Sequence, residues 1–471
     1  MAEKPKKGRI SMIKRLAIGL AVGMVFCFTA FAAEETPAPI LNPDILNVQE
    51  YSLENGLQVL MLEDHSAPVI TYMVYYRVGS RNEEVSKTGI AHFFEHMMFN
   101  GSKKYAREEH AHIVQANGGS LNANTWYDRT AYYENIAADK LELVVHLEAE
   151  RQANLAIVDS VANKERGAVT EERRMRVDNS IMGEAFEEVF TNAFRAHPYS
   201  WPVIGWMSDI EGWEIEDLRK FHKTWYAPNN ATVILAGDFD PEEAKLLIDK
   251  YYSKIPSQPV PPDVRTVEPP QKGERRIKLH RIAQLPFLLT AYHVPEASHD
   301  DMAALEVLQK ILSDGKSSRI YKRCIYDDQV AAFAGGFLFD LKDPGIFLAY
   351  IGVNPGVEME VAEKALFEEI EGIPDNPPTE RELQKAKNQL EADYIFGLQT
   401  VNGKASAIGE SVILYDGDYN AFLEKPAKYR AVTIEDVQRV AKAYFHDRNR
   451  TVLIVVPEIP DMGMMQMGGG E

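Results

Sequence analysis

Ile215-Glu216-Asp217-Leu218 recurs as Ile434-Glu435-Asp436-Val437, and an offset of 219 then holds without gaps through Lys223/Lys442, Trp225/Tyr444, Asn230/Asn449, Thr232/Thr451 and Val233/Val452. A chain that repeats itself over such a span must bury two similar cores rather than one. Each copy reads as a helix that leads through a polar turn into a strand. Between the copies, Pro256 to Gly273 is rich in Pro and reads as an extended linker. The expected domains are residues 45–257 and 274–458, joined by a linker over 258–273. Hairpin-like strands mixed with amphipathic helices predict an α+β class: two homologous domains, each a mainly antiparallel sheet with helices packed on one face.

The first copy carries the chemistry. His92-Phe93-Phe94-Glu95-His96 is an HxxEH stretch. On a helix it sets two imidazoles one turn apart on one face, with Glu95 beside them. Two histidines at that spacing hold a single zinc ion, and a neighbouring carboxylate takes a proton from water that zinc acidifies. The flanking residues from Gly89 to Phe99 are apolar almost all round and stop at Asn100-Gly101-Ser102, so the helix reads as buried. Buried histidines and a buried glutamate need a partner, and a metal is one. The corresponding stretch of the second copy, Ala304 to Leu312, contains no histidine.

Catalytic zinc keeps three protein ligands and an open position, so a third ligand is expected elsewhere. Residues 159–178 read as a long charged helix containing Glu165, Glu171 and Glu172. Glu165 and Glu172 are two turns apart and share a face. Helical geometry alone leaves Glu171 and Glu172 both open as the ligand.

With Glu165 and Glu172 following the HxxEH stretch, the chain resembles the pitrilysin/insulinase-type zinc metallopeptidases, and in length and organisation their mitochondrial processing peptidase-like branch. Asn55-Gly56-Leu57, Val78 to Glu83, Gly118 to Ala123 and Asp128-Arg129-Thr130 agree with it. The resemblance implies one zinc ion per chain on His92, His96 and Glu172, Glu95 as general base, and Glu165 as support for the site. It also implies that the strand containing Asn122, Ala123, Asn124 and Thr125, small and polar like an exposed edge, pairs with an extended peptide or unfolded polypeptide. Family members that complete the site from the second domain carry an Arg and, seven residues on, a Tyr after a Ser-Ser-Arg-Leu-Tyr stretch. Here the stretch is Ser317-Ser318-Arg319-Ile320-Tyr321, and the two places hold Ile325 and Ala332. Arg323 and Tyr326 lie near but out of register. A related, metal-free subunit that supplies the Arg and Tyr is therefore expected, with a homodimer as the competing arrangement. The rival to a zinc-dependent endopeptidase is a non-catalytic scaffold or assembly subunit of the same fold.

Lys4, Lys6, Lys7, Arg9, Lys14 and Arg15 precede an apolar run from Leu16 to Phe31 and a small-x-small site at Ala30-Phe31-Ala32. Residues 1–33 thus read as an export signal, which predicts a periplasmic protein without stable membrane insertion after cleavage; an uncleaved anchor is the competing reading. Of the two cysteines, Cys27 lies in that run and Cys324 is left alone, so no intramolecular disulfide is expected in the mature chain. A formal net charge of −19 argues against nucleic acid as a partner. His110 and His112 read as solvated positions on a polar helix and His197 as a loop residue. Residues 459–471, rich in Met and Gly, read as a disordered tail.

Overall fold

The computed structural model describes residues 46–458, so the expected export signal and tail lie outside the described residues. The first half contains strands β1 (Gln49–Ser52), β2 (Gln58–Glu63) and β3 (Val69–Tyr76), then helices α1 (Ile90–Met97) and α2 (Glu109–Ala116). The hairpin of β4 (Ser120–Thr125) and β5 (Thr130–Ala137) follows, and then α3 (Leu141–Asn154), α4 (Asp159–Arg173), α5 (Ile181–Ala193), α6 (Met207–Gly212) and α7 (Ile215–Trp225). Strand β6 (Ala231–Gly237) and helix α8 (Pro241–Tyr252) complete it. The second half runs β7 (Arg275–Arg281), β8 (Phe287–His293), α9 (Met302–Ser313), β9 (Ala331–Phe339), β10 (Ile346–Val353) and α10 (Met359–Glu371). It ends with α11 (Glu380–Gly397), α12 (Val401–Leu414), α13 (Ala421–Ala431), α14 (Ile434–Tyr444) and β11 (Arg450–Pro457).

Two sheets result, ordered β1-β2-β6-β3-β5-β4 and β7-β11-β8-β10-β9. Apart from β1 they share one topology, antiparallel except where the last strand lies parallel to the first of the common five. The repeated residues account for that likeness. Asp217 and Asp436 each accept the backbone N–H at the start of their helix, from Glu214 at 3.2 Å and Thr433 at 3.1 Å, closing a capping box. Asn230 and Asn449 each donate to the carbonyl that ends that helix, Trp225 O at 2.8 Å and Tyr444 O at 2.7 Å. The motif Ile-Glu-Asp thus starts a helix and the Asn turns it into the central strand.

One face of the first sheet packs on α1, α3, α7 and α8 through Tyr72, Val74, Phe93, Phe94, Val145 and Leu218. One face of the second packs on α9, α10 and α14 through Leu288, Phe347, Leu308, Leu366 and Val440. The opposite faces, which the sequence leaves unassigned, are covered by an exchange of helices. Helix α5 of the first half lays Ala185, Val189 and Phe190 on Leu289, Leu348 and Leu453 of the second sheet. Helix α12 of the second half lies on the first sheet, and Gly409 sits so near that a Cβ there would come within 2.2 Å of the Tyr75 ring. Arg129 donates to Glu410 at 2.6 Å and Asn402 to Asn135 at 3.0 Å across the same contact. Strands buried on both faces read as continuous apolar runs, as β6 and β10 do.

Residues 256–273 carry neither helix nor strand, yet Glu268 in this stretch accepts backbone N–H groups from Arg195, Ala196 and His197. His197 lies outside regular helix and strand as expected, but it is buried, with Nε2 3.0 Å from Asp343 of the second half.

Candidate metal centre

Helix α1 is built to hold its residues still. Its first backbone N–H groups, from Gly89 and Ala91, donate at 2.7 Å to the two oxygens of buried Glu83, which satisfies donors that a helix start otherwise leaves open. Gly89 has φ +83°, and a Cβ there would lie 2.4 Å from the Ile204 carbonyl oxygen, so only glycine lets the helix start this close to the loop. The last turn is stopped by Asn100, whose side-chain amide donates to His96 O at 2.9 Å.

On this helix the His92 and His96 rings lie 4.8 Å apart, centre to centre. Helix α4, prolonged by a wider turn over Arg174–Asp178, crosses beside it. Glu172 Oε2 is 3.7 Å from His92 Nε2 and 3.2 Å from His96 Nε2. Glu171 points away, with 71% of its side chain exposed and paired with Arg174, so the geometry separates the two candidates that helical spacing leaves open. Glu165, on the same face of α4, meets His96 Nδ1 at 3.0 Å. Its other oxygen accepts from Asn100 at 2.8 Å and Arg107 at 3.2 Å.

The fit of this donor set to zinc rests on spacing and chemistry. Donors about 2.0 Å from a tetrahedral ion stand ~3.3 Å apart, close to the 3.2 and 3.7 Å found here. Two imidazoles and one carboxylate are a zinc donor set, and all three converging atoms lie within 4.8 Å of one another. Burial, then the neighbouring His96, pushes His92 down to about 4. At His96 burial is outweighed by the hydrogen bonds to Glu165 and Glu172, which hold it up to about 9. Such carboxylate support orients an imidazole and raises its basicity as a ligand.

Glu95 lies on the neighbouring side of the helix. Burial pushes its carboxyl up, opposed by hydrogen bonds from the Thr125 hydroxyl and backbone N–H. That contact ties α1 to β4, the edge strand of the first sheet. The Trp126 N–H donates inward to Arg129 O at 2.8 Å. By the alternation of an antiparallel ladder, Leu121, Ala123 and Thr125 turn their backbone groups to the open edge, while Asn122 and Asn124 bond β5. The free edge therefore ends at the residue that touches Glu95.

The second half repeats part of this arrangement with other residues. Helix α9 follows β8 as α1 follows β3. Gln309 donates to the Gly336 carbonyl of edge strand β9 at 3.3 Å, as Glu95 meets β4. Lys310 pairs with Asp393 of α11 at 2.6 Å, where His96 meets Glu172 of α4. Glu306, one turn earlier, pairs with Lys425 at 3.1 Å. The pattern here is Glu306-x-x-Gln309-Lys310, and its Glu and Lys are each held in an ion pair. Arg323 is engaged with Asp328 and Glu368 of its own half, and Tyr326 is exposed.

One expectation is corrected. His110 is not solvated: it is buried, with Nε2 3.1 Å from Glu134, beside Glu148 and Arg151, because β5 and α3 close over this side of α2. His112, on the other side of α2, is exposed. Sequence reading also passes over Arg107, and gives Glu83 no part in starting α1. Only Asn100 left a signal, as the helix stop that it is.

Residues 58–205 match the model of insulinase (peptidase family M16), and residues 212–390 that of the peptidase M16 inactive domain. A zinc protease, PqqE, of Helicobacter pylori is 32% identical over 413 residues, covering 87% of this chain and 93% of that protein. The chain belongs to peptidase family M16. The crystal structure of a protease from Helicobacter pylori superposes with a TM-score of 0.84 at 32% identity, over 88% of this chain and all of that one. The probable mitochondrial-processing peptidase subunit beta of Arabidopsis thaliana is 24% identical, over 92% of this chain and 84% of its own. The first half of the periplasmic protease PqqL from Escherichia coli shares the fold, with a TM-score of 0.71 at 19% identity, over 87% of this chain and 92% of that one. Among the described residues no helix is long and apolar enough to cross a membrane. The two M16 models meet ahead of β6, although β6 is the strand that joins β2 to β3 in the first sheet.

Proposed function

We propose that this M16 chain is a zinc-dependent endopeptidase acting on peptides or unfolded segments, with zinc on His92, His96 and Glu172. The observation that carries the reading is the convergence of His92 Nε2, His96 Nε2 and Glu172 Oε2, with Glu95 one step away at the end of an open strand edge. Zinc bound there supplies Lewis acidity, acidifying water and polarising the scissile carbonyl. Glu95 takes the water proton and delivers it to the leaving amine, and no covalent intermediate is needed. Burial pushes the Glu95 carboxyl up, the direction that strengthens it as a base. Glu165, held by Asn100 and Arg107, keeps the His96 ring turned to the metal.

The peptide joins β4 as an added strand, read through the outward backbone groups of Leu121 and Ala123 and the Thr125 carbonyl, with Asn122 and Asn124 flanking them. Ala123→Pro removes one outward donor without breaking the ladder to β5. Its expected effect is a Michaelis constant raised at least about tenfold with zinc content unchanged, since one backbone hydrogen bond contributes on the order of 1 kcal/mol and the pyrrolidine ring also blocks close approach. Steady-state kinetics on an extended peptide beside a zinc assay checks it; an unchanged Michaelis constant removes β4 from substrate binding.

The same reading makes this chain the metal-bearing partner of a related subunit that supplies the Arg and Tyr. Ile325 and Ala332 occupy those places, and Arg323 is already committed to Asp328 and Glu368. Full peptidase activity from the purified chain alone would exclude the heterodimer. Export through residues 1–33 to the periplasm belongs to this proposal too, and N-terminal sequencing of the native protein tests it.

A further inference from the structure

We propose that Arg176 is a positioning residue that keeps Glu172 on the metal through a single oxygen; the inference rests on the zinc reading above. The two oxygens of Glu172 have different partners. Oε2 faces both histidine Nε2 atoms, whereas Oε1 meets Arg176 Nη1 at 3.0 Å. Among the described residues no other side chain pairs with Oε1. Glu165 follows the same plan, with Oε1 on His96 and Oε2 on Asn100 and Arg107. The two carboxylates of α4 at this centre thus each give one oxygen to a histidine and the other to an arginine. A guanidinium on the second oxygen disfavours its turning onto the metal, which leaves room for water and the scissile carbonyl.

The backbone that carries Arg176 is fixed for this purpose. Residues 174–178 form a widened turn in which Asn179 N–H donates to Arg174 O at 2.8 Å, a five-residue step of the kind frequent at functional sites. The start of α5 lies against it: a Cβ on Gly183 would come 1.9 Å from the Arg176 carbonyl oxygen. From the other side, Arg281 of β7 donates to Asp178 O at 2.7 Å. The Arg176 side chain is 70% exposed, so its pairing contributes little to stability, and its direction towards Oε1 is what matters.

The test uses the full mature chain with cobalt(II) in place of zinc, with the partner subunit present wherever cleavage is measured, because the visible absorption of cobalt(II) reports coordination number. Wild type and Arg176→Lys are expected to bind about one cobalt per chain with the intense bands of a four-coordinate ion. Arg176→Met is expected to bind about one cobalt per chain as well, with its bands weakened several-fold as Glu172 turns in its second oxygen, and kcat for peptide cleavage reduced roughly 10- to 100-fold, the usual effect of losing an outer partner of a ligand. Matching circular dichroism establishes that the variant is folded. A folded Arg176→Met protein with the wild-type spectrum overturns the clamp. A wild-type chain that binds no cobalt overturns the zinc reading instead, so the two failures are distinguishable.

Discussion

Glu95→Gln is expected to keep its zinc and to lose peptide hydrolysis by about 10²- to 10⁴-fold, the range for removing a general base. The substitution preserves shape, so the side chain keeps its place on α1 beside Thr125 of β4. What disappears is a group able to carry a proton from water to the leaving amine. His92, His96 and Glu172 are untouched, so metal content and thermal stability should match wild type. The measurement is kcat beside metal content on the same preparation. Wild-type turnover would show that Glu95 is not the base, and loss of zinc would show that it belongs to the ligand set.

Arg151→Met is expected to cost about 3–5 kcal/mol of stability, the penalty for leaving buried charge without its partner. Arg151 is buried and pairs through two nitrogens with Glu148, while Glu134 lies 3.6 Å from the same guanidinium. Burial pushes both carboxyls up. His110 contributes no compensating charge, because burial, then the charge of Arg151, pushes it down to about 3. Its imidazole meets Glu134 as a neutral ring at 3.1 Å. The guanidinium also lies 4.5 Å from the centre of the Tyr132 ring, and the Tyr132 hydroxyl donates to Phe94 O in α1 at 3.0 Å. Loss of Arg151 therefore loosens α1 from behind. Denaturant unfolding measures the effect, and adding Glu134→Gln and Glu148→Gln to Arg151→Met should recover part of it. A cost below about 1 kcal/mol would show that the cluster does not depend on its arginine.

The repeat was legible because its signals are local. Asp217 and Asp436 cap their own helices, and Asn230 and Asn449 close the same turns, so these contacts leave a spacing in the chain. The HxxEH helix and edge strand β4 were legible for the same reason, since periodicity and small polar residues act where they stand. The exchange of α5 and α12 was not, because an apolar helix face does not say which sheet it will cover. His110 was misread because its partners come from β5 and α3, and the residues beside it in sequence are polar. Glu172 fell between: two turns from Glu165 put it on the right face, but only the crossing of α4 against α1 separates it from Glu171. Glu83 lies in a stretch that the resemblance picks out, but its hold on the start of α1 leaves no spacing in the chain that announces it.

The most direct test is metal content and peptide cleavage on one preparation of the mature protein, with its partner subunit if one copurifies, beside His96→Ala. The account predicts about one zinc per chain in wild type, cleavage abolished by a chelator and restored by zinc, and near-absence of both zinc and cleavage in His96→Ala. A folded wild-type protein that holds far less than one zinc after incubation with the metal, or cleavage that persists without it, would contradict the account.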